Sequence, residues 1–510
     1  MMNIALEGVT LNKRQRETLR EQLLKALENI PTDGSTNDWS EVYVPVSHLQ
    51  ALNPERMVVE GMRGSGKSFW TGVLVKPELR HALENQLLGV DLKTALASIT
   101  QSHAIALDAP NAASSFPSIT ELPQLLALPG ITPETIWSVA ILRLFPVDPL
   151  LQMPYSTDAY NLWQAPIAWA GQNPGRVARA LDLLDQHLVS DRQIALVMFD
   201  ALDRVSHDLT EVSSITAGLL RVMLNLRFAK GLRLKAFIRE DILAQAGASV
   251  VDGSKLLNNK VKLQWTQADL YGLAFYRIAQ HSSTFRTQFE RIARAAWREN
   301  AGRYQCAAAD DPGTQKLLWR VLVGDYMGKS ANKGHSYPYI FNHLSDGLGR
   351  VAPRTFLTAL HAAIKSASTQ YLEKLHVIHH EAIRDGVRDA STARVTELHE
   401  EYQWIDPALR CIKDQQKTVP IDKSDLVKVW LKNNAAVLHT IEAMRDTALI
   451  PWRSGSSNAE KVEHLLLTLE QIGIIKSRLK DGGERIELPD IYRLAYKIGR
   501  YGGIATQKKS

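Results

Sequence analysis

The chain has 510 residues, a formal net charge of +6 and a pI near 9.0, a length that leaves room for about three domains of ordinary size. Its 45% hydrophobic and 22% charged residues are the balance of a globular protein and exclude extended disorder as the dominant state. No stretch approaches the roughly 20 apolar residues of a membrane span and no charged-then-apolar leader opens the chain, so a cytoplasmic protein without membrane contact is expected.

Cys306 and Cys411 stand far apart with no partner cysteines at metal-ligand spacing, which excludes a disulfide framework and a zinc module and leaves both thiols as packing residues. The mild basic excess is a weak field over so large a surface and decides nothing about nucleic acid.

In chain order, residues 12–29 carry Leu19, Leu23, Leu24 and Leu27 among many charges, the period of an amphipathic lead-in helix ending before Pro31. A polar stretch, 32–38, sets the first domain boundary, so 1–40 is taken as a helical lead-in. Next, the apolar run from Met57 passes into Gly61-Met62-Arg63-Gly64-Ser65-Gly66-Lys67-Ser68. A strand, a loop with glycines at this spacing and a helix beginning at the lysine form a cradle for nucleotide phosphates. The glycines open backbone N–H groups to phosphate oxygens, Lys67 and the helix N-terminus act on the same charges, and the Ser68 hydroxyl is placed for magnesium. A Gly/Ser-rich surface loop is the competing reading, and the helical sequence from Ser68-Phe69-Trp70 onward argues against it.

Pro77 is expected to stop this helix. Ala104–Leu107, ending at Asp108, reads as a second buried strand, and 109–129 as a long loop or small insertion. Helical patterning follows over 135–145 and 177–188. The run 193–199 then ends at Asp200, as suits a central parallel strand whose C-terminal end faces the phosphate crevice, with Asp200 where a magnesium ion needs an acid. The alternative is an aspartate that caps the next turn. After a helix over 215–228, residues 232–238 form a strand adjacent to the acid-bearing one and reach Arg239-Glu240-Asp241. An arginine there reaches a gamma-phosphate, or is a surface salt-bridge residue. Residues 261–265 offer one more strand.

From Gln267 to about Ser366 the pattern is helical with one loop over 328–335, which reads as an all-α lid, 267–366. Mixed charge marks 367–420 as a solvated helical spacer. His376, His379 and His380 are expected on one helix there, as a solvated face rather than a zinc site, because the H-E-x-x-H base is missing. Over 421–510, helical runs at 425–432, 437–447 and 459–472 precede two short strands, 475–479 and 485–488, joined at Asp481-Gly482-Gly483. Three helices followed by a hairpin is the order of a winged helix. The expected fold is thus α/β: a P-loop NTPase core over 41–266, its parallel sheet sandwiched by helices, with an α-helical lid and arm and a C-terminal winged helix.

Taken together, Gly61 to Ser68, the strand ending Phe199-Asp200-Ala201-Leu202-Asp203-Arg204, the strand ending Phe237-Ile238-Arg239-Glu240-Asp241 and the Ala352-Pro353-Arg354 turn resemble the STAND and KAP branch of P-loop NTPases, relatives of AAA+ ATPases. The resemblance covers roughly 41–365. It implies an ATP site with Mg2+ in which residues Gly61 to Phe69 cradle the nucleotide and Lys67 contacts the beta and gamma phosphates. It further implies that Ser68 and Asp200 hold the metal, that Arg239 senses the gamma-phosphate, and that Pro353 and Arg354 belong to a lid element touching the nucleotide. Asp203 takes the second acidic position of an extended Walker B motif. Where AAA+ enzymes place a catalytic glutamate this chain has Ala201, so Asp203 stands in as water activator, with slow turnover, and Arg204 is the alternative as a residue acting across a subunit boundary.

The leading functional expectation is an ATP-dependent switch that forms a homo-oligomer and controls a separate effector protein, in the setting of bacterial anti-phage defence where such relatives occur. A DNA-binding ATPase that loads through the winged helix and the basic tail (Arg493, Lys497, Arg500, Lys508, Lys509) is the second, although the helix that would enter the groove carries Glu460, Glu463 and Glu470 and one lysine. A scaffold that binds nucleotide without hydrolysing it is the third.

Overall fold

The computed structural model describes residues 11–28, 38–86, 90–108, 112–145, 153–154, 162–300, 302–445, 448, 450–480 and 483–500. They divide into two compact units, one built on Val46–Gln264, the other on the N-terminal helix, Ser40–Pro45 and the chain from Trp265 onward.

The first unit is organised by a five-stranded sheet of β1 (Val58–Gly61), β2 (Gln101–Ala106), β3 (Ala195–Asp200), β4 (Leu232–Arg239) and β5 (Val261–Lys262). Spatially the order is β2-β3-β4-β1-β5, and every pairing is parallel. All residues of β1 and β3 are buried, as a parallel strand covered on both faces requires; β3 therefore runs apolar without alternation up to Asp200, while β1 buries Glu60 against Lys260 Nζ at 2.8 Å. Register does the rest. Gly61 lies beside Arg239, Phe199 beside Ala236 and Ala106 beside Asp200, so the C-terminal ends of four strands emerge along one edge.

The helix Lys67–Val75 packs over β2, β3 and β4, and Pro77 ends it by opening the next helix, Pro77–Gln86. Trp137, on the helix Pro133–Arg143, sits against the Phe199 ring at 5.5 Å and donates its indole N–H to Ile215 O at 2.9 Å, tying that helix to Leu209–Asn225. Two local expectations change. β5 ends at Lys262, short of Trp265, and the region expected as a loop over 109–129 contains the short helices Ala112–Ser115 and Leu122–Leu126, with 109–111 outside the described residues.

The second unit has its own core, to which the helix Lys13–Glu28 contributes Leu19, Leu23 and Leu27. Arg20 of that helix is buried because its guanidinium donates to the carbonyls of Val377 (2.6 Å), His376 (3.0 Å) and Leu372 (3.1 Å). The expected all-α lid is corrected: β6 (Arg298–Asn300) and β7 (Arg303–Gln305) form an antiparallel hairpin inside it, turning at Gly302 with φ 78°. Polar strand residues with no apolar alternation hid it.

Two further corrections concern the region read as a solvated spacer. The helix His380–Glu401 is packed on Pro353–Thr369 through Ala382, Ile383, Val387 and Ala390, all buried; small and apolar residues interspersed among charges form a real core face. The three histidines do not share a helix. His376 precedes it, and His379 is its N-cap, with Nδ1 accepting from Glu381 N at 3.3 Å.

Towards the C-terminus, Lys423–Glu442 is broken by non-helical backbone at Lys432–Ala435 into two helical runs, the second ending at Glu442, short of the expected 447, with 446–447 outside the described residues, and Asn458–Gln471 follows. β10 (Lys476–Lys480) and β11 (Gly483–Glu487) are antiparallel, and β9 (Ile421–Asp422) extends that sheet on β11. β8 (Thr418–Val419) pairs separately with β12 (Gly499–Arg500). Asn29, the linker 32–37, the turn residues Asp481 and Gly482, and Lys508 and Lys509 lie outside the described residues.

Candidate nucleotide site

The loop after β1 has the backbone its sequence calls for. Gly64 and Gly66 take positive φ, 75° and 99°, which L side chains rarely adopt, and Gly66 is the N-cap of the helix that Lys67 opens. Gly61 is required by close approach instead: a Cβ there would stand 2.5 Å from Ser65 Oγ and 3.3 Å from Leu263 Cβ. Met62, Arg63 and Phe69 are half-buried around the loop, and Phe69 lies edge-on to Trp70 at 5.3 Å. Lys67 folds over the loop, its Nζ donating to Gly61 O at 3.1 Å and Met62 O at 2.9 Å. Behind the helix, Trp70 Nε1 donates to His48 Nδ1 at 3.0 Å, which places the His48 proton on Nε2, 3.0 Å from Gln264 O. This chain of bonds fixes the phosphate-loop helix to the segment after β5.

Asp200 ends β3 and is 2% exposed. Burial pushes its carboxyl up from 3.8 to about 6, while hydrogen bonding with Ser68 and the Lys67 charge pull it down and Asp108 pushes it further up. Ser68, Lys67 and Asp200 thus act on one another at the end of β3. One hydroxyl and one carboxylate are the protein donor set that a magnesium ion takes when phosphates complete its shell, so the residues fit that ion. Among the described residues no group of three or more His, Cys, Asp or Glu is arranged to hold a metal unaided. Asp108 was not assigned a role from sequence; its signal was the same as that of Asp200, an acid just beyond an apolar strand, here one whose last residue lies beside Asp200.

Ala201 follows with φ 58°, a left-handed conformation that is costly for a residue with a Cβ and that turns the chain into the short 3-10 turn Leu202–Arg204. Asp203 on this turn meets Arg239, whose Nη1 donates to Asp203 Oδ2 at 3.3 Å. The same guanidinium grips Asp241 with two bonds, Nε to Oδ1 at 3.1 Å and Nη2 to Oδ2 at 2.7 Å. Arg239 beside it holds the Asp241 carboxyl below the usual range against the effect of burial. Asp241 was passed over in the sequence because its partnership depends on the helix Glu240–Ala248 starting where Arg239 ends β4. Arg204 is exposed.

Pro353 and Arg354 belong to the other unit. Pro353 begins the helix Pro353–Thr369, and Arg354 Nη1 lies 3.5 Å from Glu397 Oε1. Both cysteines are half-buried free thiols, and burial pushes Cys411 up to about 12.

No helix among the described residues is long and apolar enough to cross a membrane. No family model matches the chain, and no curated protein matches it. Two solved structures are similar in outline. One is the Aeropyrum pernix ORC2 protein in ADPNP–ADP complexes, with 13% identity and a TM-score of 0.36 over 89% of this chain and 93% of that one. The other is its ADP form, with 13% identity and a TM-score of 0.30 over 95% of this chain and 91% of that one. Neither likeness is close enough to bear on function.

Proposed function

We propose that the chain binds ATP with Mg2+ at the Gly61–Phe69 loop, hydrolyses it slowly and uses the nucleotide state as a switch. The observation that carries this reading is the buried Asp200 at the end of β3, held against Ser68 and the Lys67 charge of a glycine loop that opens a helix. A buried acid beside the hydroxyl and the lysine that open this helix supports a cation site completed by phosphates. In this reading Lys67 binds the beta and gamma phosphates, Ser68 and Asp200 the metal, Arg239 the gamma-phosphate, and Asp203 takes the proton from the attacking water in place of the glutamate that Ala201 replaces.

The finer assignments rest on two grounds: the pattern of elements for the partition at 40, 266, 366 and 420 and the C-terminal winged helix, and the resemblance to STAND, KAP and AAA+ proteins for a lid with Pro353 and Arg354, homo-oligomerisation, a separate effector and a setting in anti-phage defence. The DNA-loading alternative is disfavoured by the helix Asn458–Gln471, where Glu460 is spent on capping Ser457 and Lys461 is tied to Glu442 at 3.0 Å.

Titration calorimetry of ATP with magnesium tests the binding. Micromolar binding in the wild type, lost in Lys67→Ala and no longer magnesium-dependent in Asp200→Asn, is the expected result. Mass photometry with and without ATP tests the switch: identical masses in both, unchanged in Lys67→Ala, would remove the oligomerisation reading and leave the binding site standing.

A further inference from the structure

Arg239 lies in a two-carboxylate clamp whose arms are unequal. Asp241 takes two nitrogens of the guanidinium, at 2.7 and 3.1 Å, and its side chain is 17% exposed; Asp203 takes one nitrogen, at 3.3 Å, and its side chain is 25% exposed. A bidentate arginine–carboxylate pair fixes the plane of the fork, whereas a single long bond to a more solvated carboxylate is the easier one to exchange. The elements behind the two arms differ in the same sense. Asp241 stands in the first turn of the helix that Arg239 itself precedes, while Asp203 stands on a short turn entered through the left-handed Ala201.

We propose that Asp241 is a positioning residue that holds the guanidinium plane, and that Asp203 is an exchangeable anion which a gamma-phosphate displaces from Arg239. This deepens the nucleotide-switch reading and rests on it. ATP, with a gamma-phosphate, completes the exchange and ADP does not, so the clamp is where the two nucleotides are told apart. The exchange also frees the Asp203 carboxylate when a water needs an acceptor. Arg239 joins β4, next to the phosphate-loop strand, to the helix Glu240–Ala248, so its change of partner is felt at the start of that helix.

The two arms predict opposite effects, read as the ratio of ADP to ATP dissociation constants in the full chain. Asp203→Asn weakens the competitor of the phosphate, and discrimination in favour of ATP rises about two- to fivefold, the range of a partly exposed ion pair. Asp241→Asn loses the fork's anchor, and discrimination falls; Arg239→Gln brings the ratio close to one. A clamp that only braces the fold would give variants of altered melting temperature with an unchanged ratio in all three, and that result overturns the proposal. Asp203→Asn lowering discrimination overturns it as well. Wild-type protein in which ATP binding is absent or indifferent to Lys67→Ala instead sinks the nucleotide-site reading itself. Amide hydrogen exchange over 240–248 supplies a readout independent of hydrolysis: protection there differs between ATP and ADP in the wild type and not in Arg239→Gln.

Discussion

At the scale of single residues, Asp200 puts a functional requirement in conflict with stability. Burial pushes its carboxyl up to about 6 from the 3.8 of a solvated aspartate, because it disfavours the charge more than Ser68 and Lys67 restore it. Between those values the folded state binds more protons than the unfolded state, so stability falls as pH rises through this window. The rise from 3.8 to about 6 corresponds to roughly 2–3 kcal/mol of destabilisation at neutral pH. Asp200→Asn removes the charge and keeps an oxygen to accept from Ser68. In the absence of nucleotide, urea unfolding at pH 7 is expected to show the variant more stable by an amount of that order, with the advantage gone at pH 3.5. A variant less stable at pH 7 would mean that the ion-pair and hydrogen-bond contributions exceed the cost of burial.

At the scale of elements, what the sequence made legible follows from how each element is buried. β3 was readable because a central parallel strand buries both faces and so runs apolar, β4 by its alternation of apolar with basic residues, and β1 by the apolar run before it and the glycine spacing that named its loop. The β6–β7 hairpin was not, because Arg298-Glu299-Asn300 carries no apolar alternation. Nor was the packing of His380–Glu401, whose buried face mixes small residues, Ala382, Gly386 and Ala390, with Ile383 and Val387 among charged residues. The clamp on Arg239 was invisible for a different reason, since it depends on a turn after β3 and a helix start after β4 meeting across strand register. The packing of His380–Glu401 yields a prediction in which two effects oppose each other. Gly386→Ala improves helix propensity by about 1 kcal/mol, but its Cβ would collide with Ala359 O and stand 2.8 Å from Ala363 Cβ on the facing helix. Collisions with backbone outweigh propensity, and a net loss of about 1–3 kcal/mol is expected in denaturant unfolding. A stabilised variant would show that the two helices separate at little cost.

At the scale of the whole molecule, the residues proposed to bind phosphate and metal all fall between Gly61 and Asp241, within the unit that holds the sheet. Pro353 and Arg354 are the predicted nucleotide contacts in the other unit; Arg354 is half-buried and lies 3.5 Å from Glu397. These facts separate two contributions that the intact chain combines. A fragment spanning 46–264 contains all five strands and their covering helices. It is expected to unfold cooperatively and to bind ATP in a Lys67-dependent manner. If a lid arginine completes the site, the fragment binds ATP about tenfold more weakly than the full chain, the equivalent of one charge-assisted hydrogen bond of about 1.4 kcal/mol. Arg354→Ala in the full chain should then reproduce that loss, and ADP affinity should change less than ATP affinity. A fragment that binds as tightly as the full chain would strike Arg354 from the site and leave the sheet unit as a self-sufficient nucleotide module. A fragment that folds but binds nothing would place an essential contact outside 46–264, and the weakened binding of Arg354→Ala, or its absence, would say whether that contact is the lid arginine.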